Sequence, residues 1–187
     1  MKNKELYFIA ILPPQNLQHR ITAIKHQIAE RYKSRHSLKS PPHITLQMPF
    51  KWRADKENEL IEGLQQFAKE TQPFTIQLKG FNAFPPRVIY VDVVPSSELN
   101  DLKALLATFL RKNFKFNNTE HKSGVFKPHV TVAFRDLNKT SFTRAWEELR
   151  NDTFEATFKV NALSLLKHNG KTWEVFSNHS LLPASNR

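Results

Sequence analysis

The chain has 187 residues, 40% hydrophobic and 11% aromatic, with Phe used 15 times; this excludes an intrinsically disordered chain and allows one substantial core, but not two ordinary domains. There is no cysteine, which excludes disulfides, thiolate metal sites and cysteine nucleophiles. Lysine and arginine number 28 against 17 acids, a formal charge of +11, more than solubility needs and suited to a polyanionic partner.

Leu6 to Leu12 is a continuous apolar run closed by Pro13-Pro14. It reads as a buried strand turning into a helix whose first turn tolerates proline. The run is too short to span a membrane and lacks the long core and cleavage site of a signal peptide. A cytoplasmic location with no membrane association is expected. From Gln15 to about Tyr32, Leu17, Ile21, Ile24 and Ile28 recur at spacings of 4, 3 and 4, the mark of an amphipathic helix. His19 and His26 fall on its surface positions.

Arg31 to Ser40 is a polar, basic loop, and Pro41-Pro42 forces an extended backbone just ahead of Pro42-His43-Ile44-Thr45-Leu46. That stretch is a short strand in which His43 and Thr45 share one face while Ile44 and Leu46 turn into a core. After Phe50 to Arg53 comes a helix through Leu60, Ile61, Leu64, Phe67 and Ala68, ending before Pro73. Phe74, Ile76 and Leu78 alternate with Thr75, Gln77 and Lys79 as a half-buried strand. Gly80 and Pro85-Pro86 punctuate the way to a strand over Arg87 to Val94.

Ser96 or Ser97 caps a third helix, with a core face of Leu99, Leu102, Leu105, Leu106, Phe109 and Leu110. Lys112 to Lys127 reads as a mobile basic loop, either guiding a polyanionic partner or forming a solvated face. Pro128-His129-Val130-Thr131-Val132 then repeats the first motif almost letter for letter. A helix around Ser141 to Arg150 follows, and two long strands, Phe154 to Lys167 and Lys171 to Leu182, meet at a tight turn over Asn169-Gly170. No linker rich in Gly, Ser or Pro separates the halves. The expectation is a single domain over residues 1–187 made of two interleaved lobes, each carrying one His-x-Thr strand.

Each motif copy presents an imidazole beside a hydroxyl. Histidine gains and loses a proton near neutrality, so two histidines facing one substrate can serve as base and acid in a single turnover. With two neutral hydroxyls and a basic surface, the best-matched substrate is a phosphodiester. In-line displacement at phosphorus has an attacking oxygen on one side and a leaving oxygen on the other. His43 and His129 are therefore the candidate catalytic pair, and Thr45 and Thr131 the candidate donors to non-bridging phosphate oxygens. Phe8, Phe50, Phe126 and Tyr90 are candidates to stack on a base, one of the four being expected to touch substrate. His36, His121, His168 and His179 lack such partners and read as structural or exposed. No His-x-x-x-His pair with a nearby carboxylate occurs, so neither a metal nor another cofactor is expected.

The two motifs, the opening Tyr7-Phe8-Ile9-Ala10-Ile11-Leu12-Pro13, the Phe84-Pro85-Pro86-Arg87-Val88-Ile89-Tyr90 stretch and Phe126-Lys127-Pro128-His129 resemble the 2H phosphoesterase superfamily. Within it the chain is similar to the bacterial RNA 2',3'-cyclic phosphodiesterases, also called 2'-5' RNA ligases. The resemblance implies a bilobal, pseudo-two-fold α+β fold, with two antiparallel sheets backed by helices around a central groove. It implies metal-independent opening of a 2',3'-cyclic phosphate to a 2'-phosphate by His43 and His129, with Thr45 and Thr131 binding the phosphate. The same displacement with a 5'-hydroxyl nucleophile is ligation. Arg135 stands one place later than the arginine usual after the second motif and is a further candidate for substrate binding. The expected partner is RNA or a nucleotide phosphodiester, and the expected state a monomer. The alternatives are an RNA-binding protein without turnover and a phosphodiesterase for ADP-ribose cyclic phosphate or linear 2'-5' oligonucleotides.

Overall fold

The computed structural model describes residues 3–116 and 126–182. Its elements follow as β1 (Lys4–Ile11), α1 (Gln15–Tyr32), β2 (Ile44–Arg53), α2 (Glu57–Lys69), β3 (Phe74–Phe84), β4 (Val88–Val93), α3 (Ser97–Phe114), β5 (His129–Ala133), α4 (Lys139–Leu149), β6 (Glu155–Val160), β7 (Ala162–His168) and β8 (Trp173–Ser180). This is an α+β fold. Most of the expected basic loop, with His121, lies outside the described residues, and α3 extends into its start. Among the described residues no helix is long and apolar enough to cross a membrane.

The helices form where the apolar spacing places them. In α1, Leu17, Ile21 and Ile28 are buried as expected, but the same face also buries Lys25. The Ser96 hydroxyl caps α3 by accepting the Leu99 N–H at 3.1 Å, and Leu99, Leu102, Leu106 and Leu110 pack inward. Leu105 does not join them; it is 60% exposed, on the flank of the buried stripe. α4 starts two residues earlier than expected because Asn138 caps it, its side-chain oxygen accepting the Ser141 N–H at 2.9 Å.

The strands form one antiparallel sheet in the order β6-β3-β4-β5-β2-β1-β7-β8, where two sheets were expected. The halves β6-β3-β4-β5 and β2-β1-β7-β8 merge at the motif strands, whose register is carried by the single pair Ile44↔Val130. Such a brief pairing leaves no periodicity of its own in the sequence.

The expected long strand from Phe154 is broken at Asn161. β6 forms one edge of the sheet while β7 lies next to the other, yet Val160 and Ala162 are at most about 7.6 Å apart along the chain. The sheet must therefore curl until its first strand reaches its seventh. The corner is tied by the Leu181 N–H, which donates to the Asn161 carbonyl at 2.8 Å. β3 also runs beyond Leu78, because Gly80 is a bulge within it, not a break. Gly80 has φ +68° and marks a register shift between Leu78 and Phe81, and its N–H donates to the Phe154 carbonyl at 2.7 Å.

The helices cover one face of the sheet, where Tyr7, Ile9, Ile11, Ile44, Val130 and Leu165 join the main core. The Tyr7 hydroxyl donates to Glu57, which also accepts from Lys167 at 2.7 Å, locking α2 to β1 and β7. Among the described residues, the opposite face carries a smaller cluster of Phe8, Ala10 and Leu166 with Leu12 and Trp173. That face carries the motifs.

Candidate active site

The alternation expected of both motifs is present. Ile44, Leu46, Val130 and Val132 are buried in the core, and His43, Thr45, His129 and Thr131 are half-buried on the other face. His43 directly precedes β2 and His129 opens β5. Because the strands are antiparallel about Ile44↔Val130, the register sets His43 across from Thr131 and Thr45 across from His129. Each imidazole thus has a hydroxyl two residues along its own strand and another across the seam.

Both imidazoles are held by the same local device. His43 Nδ1 lies 2.7 Å from the Pro41 carbonyl and His129 Nδ1 lies 2.8 Å from the Lys127 carbonyl. A carbonyl only accepts, so Nδ1 carries the hydrogen in each neutral ring and Nε2 is left as the nitrogen available to a substrate.

Their surroundings differ. Burial pulls His43 down to about 4 against the support of the Pro41 carbonyl, and the charges of Lys25 and His129 push the same way as burial. Burial also lowers His129, but the Lys127 carbonyl and the Asp92 carboxylate oppose it, with the Lys127 charge pushing down. Asp92 is the β4 residue paired with His129, and it accepts from Asn82 at 3.1 Å.

Aromatic rings back both histidines. Phe8 of β1 lies 4.7 Å from His43 between ring centroids, and Trp173 stands edge-on to Phe8 at 4.6 Å. On the other side Tyr90 of β4 and Phe84 lie 5.0 and 5.2 Å from His129, with the Lys127 ammonium over both rings. Phe8 and Tyr90 are only 3% and 0% exposed, so they buttress imidazoles and offer no open face to a base. Phe50 is not brought to the site; it packs toward the main core against Tyr7 and Phe116. Phe126 is brought there, lining a small cleft with Thr45, Met48, Lys103, Lys127 and His129.

Arg135 is not placed beside the pair. β5 ends at Ala133, and Arg135 sits exposed at φ 64°, its guanidinium over the Phe134 ring at 5.6 Å. His36 packs on Phe134, His168 on Trp173, and buried His179 pairs with Ser177. Among the described residues no three His, Asp or Glu side chains gather at one point. Sequence reasoning did not single out Lys103, Asp92, Lys25, Phe84 or Trp173 as site residues. Lys25 had a signal, a charge on an apolar helix stripe; Asp92 and Trp173 had none, since only the pairing of strands far apart in the chain brings them near.

A family model described as the 2'-5' RNA ligase superfamily matches residues 13–172. A protein of Oceanobacillus iheyensis bearing the name "Putative phosphoesterase" is 33% identical over 178 residues, which cover 94% of this chain and 97% of that protein. Among solved structures, TT0787 of Thermus thermophilus matches with a TM-score of 0.67 at 17% identity, covering 96% of this chain and 100% of its own. E. coli LigT complexed with 3'-AMP matches with a TM-score of 0.67 at 17% identity, covering 96% and 99%. At that identity the structural likeness is one of fold.

Proposed function

This chain belongs to the 2'-5' RNA ligase superfamily, and on that premise we propose that it is a metal-independent phosphodiesterase opening 2',3'-cyclic phosphate ends of RNA or nucleotides to 2'-phosphates. The observation that carries this reading is the matched pair of imidazoles, each clamped at Nδ1 by a carbonyl and each across the seam from a threonine. A protein of the same fold supports the ligand class, since E. coli LigT is complexed with 3'-AMP.

In the proposed step Nε2 of one histidine takes a proton from water as its oxygen attacks phosphorus. The P–O3' bond breaks, and the other histidine protonates the departing O3'. His43, kept neutral by burial and a nearby cation, suits the base. His129, facing the Asp92 carboxylate, suits the acid. Thr45 and Thr131 donate to the non-bridging oxygens, where negative charge builds. The cleft with Phe126, Lys103 and Lys127 receives the nucleotide adjoining the phosphate, the lysines matching its charge. The two four-stranded halves act as lobes of one domain about this groove, each built as a strand, an 18-residue helix and a motif strand, β1-α1-β2 and β4-α3-β5.

The test is incubation with the four nucleoside 2',3'-cyclic monophosphates and a short RNA ending in a cyclic phosphate, in EDTA, resolving 2'- from 3'-phosphate. A 2'-phosphate that disappears with His43→Ala or His129→Ala is the expected result. Undiminished turnover in the double variant sinks the mechanism, and no product from any substrate sinks the reaction.

A further inference from the structure

The face that α1 turns to the sheet carries Leu17, Ile21 and Ile28, and with them Lys25. Lys25 is only 2% exposed. Among the described residues no carboxylate pairs with it; its Nζ donates to the carbonyls of Ser37 and Ser40, at 3.0 Å each. Withdrawing an ammonium from water is unfavourable, and burial pushes this one down to about 8. A leucine would continue the apolar stripe without that cost. The reason for a lysine is what its nitrogen holds.

What it holds is the approach to His43. Ser37 lies in a single 3-10 turn, His36–Lys39, and Ser40 closes that turn. The next carbonyl, that of Pro41, takes the hydrogen of His43 Nδ1. The front of the same loop is anchored from elsewhere. Asp136 accepts from the Ser34 hydroxyl at 2.8 Å and from the Arg35 and His36 N–H groups at 2.7 and 2.9 Å. Asp136 lies three residues past the end of β5, so the loop that aims His43 is fixed in front by the segment following the strand that bears His129 and behind by α1.

We propose that Lys25 is a positioning residue for His43: by clamping the Ser37 and Ser40 carbonyls it sets the Pro41 carbonyl that fixes the tautomer and aim of the imidazole. The inference rests on the reading of His43 as a catalytic group, but its first test needs no substrate. Nitrogen-15 NMR of the histidine rings in the full chain distinguishes the Nδ1–H from the Nε2–H form. The wild type shows Nδ1–H at both His43 and His129. Lys25→Met leaves His129 in that form and turns His43 into a mixture of the two, while kcat on a cyclic phosphate falls by about 10- to 100-fold with KM little changed. Lys25→Gln, whose shorter side chain reaches one of the two carbonyls, gives a smaller share of the second tautomer and an intermediate rate. It decides the matter alone if the methionine variant does not fold. A pure Nδ1–H signal at His43 in the folded variants, whatever happens to Tm, overturns the proposal. If the wild type turns over no cyclic phosphate, the reaction assigned above fails while the tautomer comparison still decides the role of Lys25.

Discussion

The two halves of the site use one local device in two settings. On each side a proline precedes the histidine, the carbonyl two residues back holds Nδ1, and an aromatic ring from the neighbouring strand backs the imidazole. Beyond that the halves part. His43 sits against Phe8 and near the buried cation of Lys25, whereas His129 pairs with Asp92 and opens onto the cleft with Lys103, Lys127 and Phe126. Backbone geometry sets the tautomer of both rings, and the neighbours set how readily each holds a proton. A repeated motif thus makes two imidazoles held alike, and its surroundings make them different.

The sharpest way to break the comparison is to remove each ring in turn. His43→Ala and His129→Ala are each expected to lower kcat by about 10²- to 10⁴-fold, and the double variant to lose little more than the worse single one, because the two act as a unit. Single-turnover rates on a cyclic phosphate, with circular dichroism to verify the fold, check this. On the proposed mechanism Thr45→Val and Thr131→Val each remove one charge-assisted hydrogen bond to phosphate, with an expected loss of about 10- to 100-fold in kcat.

The electrostatic difference has its own signature in pH. A base must be deprotonated and an acid protonated, so kcat/KM rises through about pH 4 as His43 loses its proton. It falls as His129 loses its own, below the ordinary imidazole value of 6.5. Asp92→Asn removes a carboxylate that favours the protonated ring, so the descending limb moves to lower pH and the ascending limb stays. Movement of the ascending limb instead would reverse the assignment of base and acid. The smallest effects separate two aromatics: Phe126→Ala raises KM by about tenfold, the loss of one stacked base. Phe50→Leu leaves KM alone and lowers Tm, since that ring packs with Tyr7 and Phe116 toward the core.

Much of this is legible in the amino-acid sequence. Alternation in the two motifs placed Ile44, Leu46, Val130 and Val132 inward and the four polar side chains outward, and apolar spacing placed the four helices. The aromatics were another matter. Phe8, Phe50, Phe126 and Tyr90 are alike as letters, yet Phe8 and Tyr90 buttress histidines, Phe50 packs toward the core and Phe126 lines the cleft. A ring's role depends on which face its strand turns to solvent and what lies across it. Arg135 lies away from the pair for a related reason: β5 stops at Ala133, and the residue stands exposed beyond the end of the strand.

By itself, then, the amino-acid sequence determined the four helices and most of the strands, the inward and outward faces of each motif and the pairing of two like imidazoles, because those follow from side-chain period and proline-imposed backbone over a few residues. Only the tertiary structure decided that the two strands meet at Ile44↔Val130, that the pairing of β7 with β1 and β8 sets Trp173 beside Phe8, and that Asp92 and Lys25 approach opposite histidines. Those contacts join residues far apart in the chain, where the pairing of strands and the packing of a helix act and local periodicity does not.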